Sequence, residues 1–181
     1  MLYMISPNTQ PIINWDEIPH KIENISAKSV LLEAGEVANK LFVIRNGAVR
    51  MWLNNDGEDV TLQFFFEGSP VCSFESFIKG SPSEFSIETL EPSTIVIIDK
   101  ADLLSYGENH PDEKNKVLSY LINRLFEYTH LFLSRIKNSP QQRYKELLRE
   151  HPNIIQRVPQ HYIASYLGMT SVSLSRIKAR K

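Results

Sequence analysis

The stretch LFVIRNGAVRMWL, Leu41–Leu53, decides the fold class. Four apolar residues, Leu41–Ile44, lead into Asn46–Gly47, and Val49, Met51 and Leu53 then recur at every second position. A period of two is strand spacing, and Asn-Gly tolerates the positive φ of a two-residue hairpin turn, so the expectation is two strands joined there. On the N-terminal side, the apolar Ser29–Leu32 is set off by the turn-prone Ala34–Gly35–Glu36. On the C-terminal side, Asn54–Asn55–Asp56–Gly57 reads as a second turn before the β-forming Val60–Phe66. Glu67–Ser83 reads as irregular, and Phe85–Thr89 and Thr94–Ile98 flank a further turn at Glu91–Pro92–Ser93. Many short strands with tight turns predict a small antiparallel barrel or sandwich.

Beyond residue 110 the period changes. From Asp112 to Lys137 there is no Pro or Gly, and Leu118, Leu121, Leu125, Tyr128 and Phe132 recur at spacings of three and four. That predicts a helix of roughly 25 residues, close to 40 Å long. A stripe on a heptad-like period packs on a partner helix or on the barrel. Val117, Ile122, Phe126 and Leu133 widen the apolar face enough for both, and a dimer helix is the expected use. Ser139–Pro140 supplies an N-cap and a first helical residue for a helix over Gln141–Glu150, which must end before Pro152. Asn153–Arg157 reads as a lead into the last module.

Composition sets the class. Hydrophobic residues at 42% and charged residues at 23% are ordinary for a soluble globular protein. No apolar run nears the roughly 18 residues of a membrane span, and the N-terminus lacks the features of a signal peptide. One cysteine, Cys72, leaves no internal disulfide and fits a reducing compartment, so a cytoplasmic location is expected. The formal charge of −1 is unevenly spread. From Pro140 onward eight basic residues face two acidic ones, a net +6, which leaves −7 for the rest. A basic end on an acidic body is the footprint of a nucleic-acid-binding module; a solvated helical surface is the alternative.

That end, Val158–Lys181, reads VPQHYIASYLGMTSVSLSRIKARK. Tyr162, Ile163, Tyr166 and Leu167 have helical spacing, Gly168 fits a turn needing positive φ, and Thr170 is a plausible N-cap. The inward face of the second helix would be Val172 or Ser173, with Leu174 and Ile177. Its outward face would offer Ser171, Ser175, Arg176, Lys178 and Arg180, small polar and basic groups suited to a major groove. No acidic residue follows Glu150 to repel phosphate.

The chain resembles the Crp/Fnr family of bacterial regulators from about Ser29 to Lys181. The matching stretches are Leu32–Glu36, Leu41–Gly47, Ile163–Gly168 and Leu174–Ile177. The resemblance implies an α+β protein with an antiparallel β-roll or jelly-roll sensor domain over 1–110. A long dimerisation helix over 111–138 and a small helix-turn-helix domain over 139–181, its wing reduced or absent, would follow. It implies a homodimer on double-stranded DNA, with RNA polymerase and a small-molecule effector as further partners and no membrane. Of the family's base-reading set, which falls on Ser171, Val172 and Arg176, only Arg176 is kept; it is the candidate for bidentate contact with guanine. Thr170, Ser171, Val172, Ser173, Ser175, Arg176, Lys178 and Arg180 form the expected DNA surface.

The family's cyclic-nucleotide cassette is not kept. It uses a Glu on the ribose and an Arg on the cyclic phosphate, and these positions fall on Ser73 and Ser83. No Arg lies between Arg50 and Arg124, Lys79 is out of position, and Glu75 and Glu84 add negative charge. A buried phosphate needs a cationic partner, so cyclic AMP is not the expected effector. Residues of an effector pocket, for whatever ligand, would be Ser73, Phe74, Glu75, Ser83, Glu84, Tyr128 and Thr129, with Tyr128 either a ligand contact or a seam residue. Four thiolates for an iron–sulfur cluster do not exist, and nothing singles out Cys72 as a haem ligand. The five histidines lie outside the expected strands, so no metal site, catalytic group or enzyme is expected. The remaining alternative is a cyclic-nucleotide-binding-like module that regulates a protein partner without touching DNA.

Overall fold

The computed structural model describes residues 13–179. Its strands are β1 (Lys21–Ile25), β2 (Val30–Leu32), β3 (Lys40–Asn46), β4 (Val49–Asn55), β5 (Glu58–Phe65), β6 (Pro70–Val71), β7 (Ser86–Thr89) and β8 (Ser93–Asp99). They form two four-stranded antiparallel sheets, in the orders β1-β8-β3-β6 and β2-β7-β4-β5. A short helix, α1 (Phe74–Lys79), interrupts the strands, and α2 (Lys100–Asn109), α3 (Pro111–Lys137), α4 (Pro140–Glu150), α5 (Pro152–Arg157), α6 (Gln160–Tyr166) and α7 (Ser171–Ala179) follow them.

Alternation assigns each face. On β3, Phe42 and Ile44 point between the sheets and join Leu32, Val49, Met51, Phe65, Val71, Ile87 and Ile95 in the central core. Leu41 and Val43 point the other way and pack with Val96, Ile98, Ile18 and Tyr106 of α2. Burial on both faces is why Leu41–Ile44 is a continuous apolar run. On β5 the split is Phe65 inward and Phe64 outward, where Phe64 joins Tyr144, Leu147, Ile154, Ile163, Tyr166, Leu167 and Leu174 of the C-terminal helices.

The Asn46–Gly47 hairpin expected from sequence does not form. β3 and β4 belong to different sheets, and the chain crosses from one to the other at this corner. Only Gly47 has positive φ, 109°, and a Cβ there would lie 2.1 Å from the Ser93 Oγ, so close approach is what demands the glycine. The true hairpin is β4–β5, with Asn55 opposite Glu58 and positive φ at both Asp56 and Gly57. Sequence reading also passed over β1, β6, α1 and α2. Asn153–Arg157, read as a connector, lies within the helix α5, opened by Pro152 at its first position.

The helix at Ser139–Pro140 forms as expected. Ser139 Oγ accepts the Gln142 N–H, and the Gln142 side chain accepts the Ser139 N–H, a reciprocal capping box.

Helix α3 buries one face on the body and leaves the other open. Leu121, which the sequence places in the heptad-like stripe with Leu118 and Leu125, is half-buried, as are Val117 and Leu131, with Arg124 buried. The open stripe is Leu118, Ile122, Leu125, Thr129, Phe132 and Ile136, flanked by Phe126 and Leu133. Its spacing of four and three repeats without a break, and Leu125, Phe132 and Ile136 are 63–65% exposed. None of the helices among the described residues is long and apolar enough to cross a membrane.

Candidate nucleic-acid interface and ligand pocket

The helix pair α6–α7 is defined by its turn. After α6, the Gly168 N–H donates to the Ser165 carbonyl (2.9 Å) and the Met169 N–H to the Ala164 carbonyl (3.0 Å), with Gly168 at φ 66°. This double bond pattern stops a helix with a left-handed residue, for which glycine pays no Cβ penalty. Thr170 Oγ1 then accepts the Ser173 N–H at 3.1 Å and starts α7 as an N-cap.

Leu174 anchors α7, fully buried in the C-terminal core, and Ile177 packs beside it. Neither Val172 nor Ser173 faces inward: Val172 is 61% exposed and Ser173 is exposed too, which corrects that part of the sequence reading. Two anchors one turn apart suffice for a nine-residue helix already capped. Thr170, Ser171, Val172, Ser173, Ser175 and Arg176 are all exposed, and Lys178 is half-buried. Arg180 lies outside the described residues.

Charge sorts differently from the sequence count. Arg143 is buried; its guanidinium donates to the carbonyls of Asn138 (2.7 Å) and Leu167 (2.5 Å), tying the ends of α3 and α6 together. Arg157 pairs with Glu67 and Glu91 of the strand region, and Arg149 with Glu150. Lys145, Arg176 and Lys178 make no ion pair among the described residues. The sequence count gave a segment charge of +6; in the fold Arg143 and Arg157 of that count fasten neighbouring segments together.

The second site lies where α1 meets the sheets. Ser73 and Ser83, ten residues apart, are both buried and their hydroxyls are 2.9 Å apart. The Ser83 hydroxyl thus faces two acceptors, Ser73 Oγ and the Phe85 carbonyl oxygen at 2.6 Å, and itself accepts the Phe85 N–H. The Ser83 backbone bonds to Gly35 and Glu36, and Ser76 Oγ takes the Ala38 N–H (2.9 Å) while donating to Ser81 O (2.5 Å). The polar groups here satisfy one another.

The other expected pocket residues are more open. Phe74 and Glu84 are exposed, and Glu75 is exposed in an ion pair with Lys79 that holds its carboxyl below the ordinary range. Thr129 donates to the Leu125 carbonyl within its own helix. Tyr128, 44% exposed, accepts a hydrogen bond from Arg124.

Arg124 is the residue that sequence reading missed. It projects from α3 against the body, 7% exposed, and donates to Gln63 Oε1 (2.9 Å), the Tyr128 hydroxyl (3.0 Å) and Glu127 (2.6 Å). Its guanidinium carbon lies 5.5 Å from the Phe65 ring centre. The available signal was position: Arg124 falls on the apolar, body-facing register of α3, between Leu121 and Leu131. Cys72 is half-buried, and desolvation pushes its thiol pKa up to about 12, so it stays protonated at neutral pH.

Comparison with known proteins places this geometry. Residues 22–110 match the cyclic nucleotide-binding domain family. No curated protein sequence matches the chain. The structure of FixK2 from Bradyrhizobium japonicum superposes at TM-score 0.77 and 16% identity, covering 90% of this chain and 84% of that one. CLP from Xanthomonas campestris, a c-di-GMP-responsive global regulator, gives 0.72 and 17%, covering 89% and 86%. A CooA mutant from Carboxydothermus hydrogenoformans gives 0.69 and 19%, covering 89% and 75%. At these identities the likeness is one of fold, and its extent takes in the helices beyond residue 110 as well as the strands.

Proposed function

We propose that this chain, with the cyclic-nucleotide-binding-type fold at residues 22–110, is a cytoplasmic, dimeric, DNA-binding transcription regulator of the Crp/Fnr type. The observation that carries the reading is the outer face of α7. It presents Ser171, Val172, Ser173, Ser175 and Arg176 to solvent from a capped helix, with no acidic residue after Glu150. Small polar groups and one arginine suit a major groove, where Arg176 pairs bidentately with guanine and Val172 packs on a thymine methyl. Helices α6 and α7 are then the helix-turn-helix, within a domain spanning 139–181.

The open stripe of α3 supplies the partner surface. A second copy meets it along Leu118, Ile122, Leu125, Thr129, Phe132 and Ile136, since an unbroken heptad spacing is the pattern two like helices bury against each other. A two-fold dimer presents two α7 helices to half-sites about 34 Å apart. The Ser73 and Ser83 hydroxyls are bonded to each other, and Ser83 also to the Phe85 backbone, so neither is read as a nucleophile. Among the described residues the hydrogen bonds of Ser83 go to Ser73, Phe85, Gly35 and Glu36, and none is to a cationic side chain that would pair with a cyclic phosphate.

The test is selection of bound duplexes from a random pool by the purified chain, with and without metabolite extract. A two-fold-symmetric sequence with salt-dependent affinity is the expected product. Recovery of unselected sequence at every round would reject the reading.

A further inference from the structure

The sheet order leaves β5 at an edge, with no strand beyond it among the described residues. An open edge carries unpaired N–H and C=O groups that require partners. Helix α6 lies along this edge, and a single side chain serves two of its groups. Ser165 Oγ accepts the Thr61 N–H at 2.9 Å and donates to the Asp59 carbonyl at 2.8 Å. These residues are two apart on the strand, so the hydroxyl takes the place that the backbone of a further strand would occupy.

Two other contacts flank it. Three residues earlier on α6, the Tyr162 ring centre lies 3.9 Å from the Arg50 guanidinium carbon. Arg50 is fully buried and held by Glu88 (2.6 Å) and Asp59 (3.0 Å), so the tyrosine meets a fixed cation. At the end of α5, Arg157 bonds both carboxylate oxygens of Glu67, at 2.8 and 2.9 Å, and also pairs with Glu91. A bidentate fork fixes orientation as well as distance. Between them Phe64 of β5 packs against Tyr166.

We propose that Ser165, Tyr162 and Arg157 act as one lock, positioning residues that fasten the C-terminal helices to the edge of β5 and so fix the pose of α7. The lock is a positioning device and not an occluding one, because Ser171, Ser175 and Arg176 remain exposed while it is closed. Its role in reading DNA rests on the function proposed above; the fastening itself does not.

The Thr61 amide reports the lock, since its outward bond goes to Ser165. Amide hydrogen exchange is followed residue by residue in the full chain and in Arg157→Gln and Tyr162→Leu, neither of which touches that amide. Each variant is expected to speed exchange at Thr61 at least about tenfold while β3 and β8 keep their protection. Affinity for the selected duplex is expected to fall about tenfold or more, with unchanged dimer mass. Unchanged Thr61 exchange in both variants overturns the lock, because the contacts are then independent. Faster exchange with unchanged affinity overturns the positioning role. Wild-type protein that protects Thr61 yet binds no duplex overturns the positioning role through the DNA reading, and leaves the fastening standing. If Arg157→Gln also loses protection in β3 and β8, Arg157→Lys replaces it, keeping the charge without the fork.

Discussion

At Gly47 the backbone takes φ 109° and passes so close to Ser93 that any side chain would overlap it. Gly35 has a similar φ of 94° but open space around it. Gly35→Ala is therefore expected to cost about 1–3 kcal/mol through backbone strain alone, and Gly47→Ala clearly more, as read by denaturant melts of the two variants. Arg176 and Lys178 divide by the same kind of local logic. Arg176→Ala should lower affinity for the selected duplex by about 1–3 kcal/mol and relax preference at one base, whereas Lys178→Ala should weaken selected and random duplexes alike. Equal losses on both duplexes for Arg176→Ala would remove it from base reading. The Ser73–Ser83 pair makes a third residue-level statement. With its hydroxyls bonded to each other and to Phe85, and none of those bonds to a cation, calorimetric titration with cyclic AMP should show no saturable heat, and a stoichiometric isotherm would contradict this account.

Among the elements, α3 works on two sides. Its body face holds Arg124 against Gln63 and Phe65, and its other face exposes six stripe positions in heptad spacing. Leu125 is 63% exposed, so Leu125→Glu removes nothing from the monomer core and places two carboxylates across the proposed seam. Sedimentation should show monomers, with the melting profile of the strand region retained; an unchanged dimer would put the two-fold contact elsewhere. The sequence revealed the helix and its apolar breadth, because period survives in a bare string. It did not show that Leu121 of that stripe is half-buried, because contact, not period, decides the neighbour. The hairpin at Asn46–Gly47 failed similarly. Of the two positions expected to tolerate positive φ only Gly47 uses it, and whether a corner joins neighbours in one sheet or crosses to another is settled by pairing far along the chain.

Taken as a whole, the molecule is fastened by pairs drawn from separate segments: Arg157 with Glu67, Ser165 with Thr61, and Arg143 with Leu167. The Arg157 hydrogen bonds hold the Glu67 carboxyl down at about 2, against an ordinary 4.5, with the Gly47 N–H assisting. A depressed folded value means stabilisation that is complete above about 4.5 and lost as pH falls through about 2. The stability gap between wild type and Arg157→Gln is thus expected to be constant near neutrality and to shrink from about pH 4.5 downward, measured by urea titration at several pH values. A gap that ignores pH would mean that Arg157 acts through packing and not through its charge.

By itself the sequence determined the strand-rich first part, the long apolar-striped helix, the Ser139 cap and the Gly168–Thr170 turn with Arg176 beyond it. Each of these follows from propensity, period or turn geometry within a few residues. Only the tertiary structure decided that β3 and β4 lie in different sheets, that Ser73 and Ser83 bond each other, that Arg124 fills the junction of α3 and β5, and that of the C-terminal cations Arg143 is buried and Arg157 is paired with Glu67 and Glu91. Those outcomes depend on which groups meet across tens of residues, and a buried polar atom takes whichever partner the fold brings within about 3 Å.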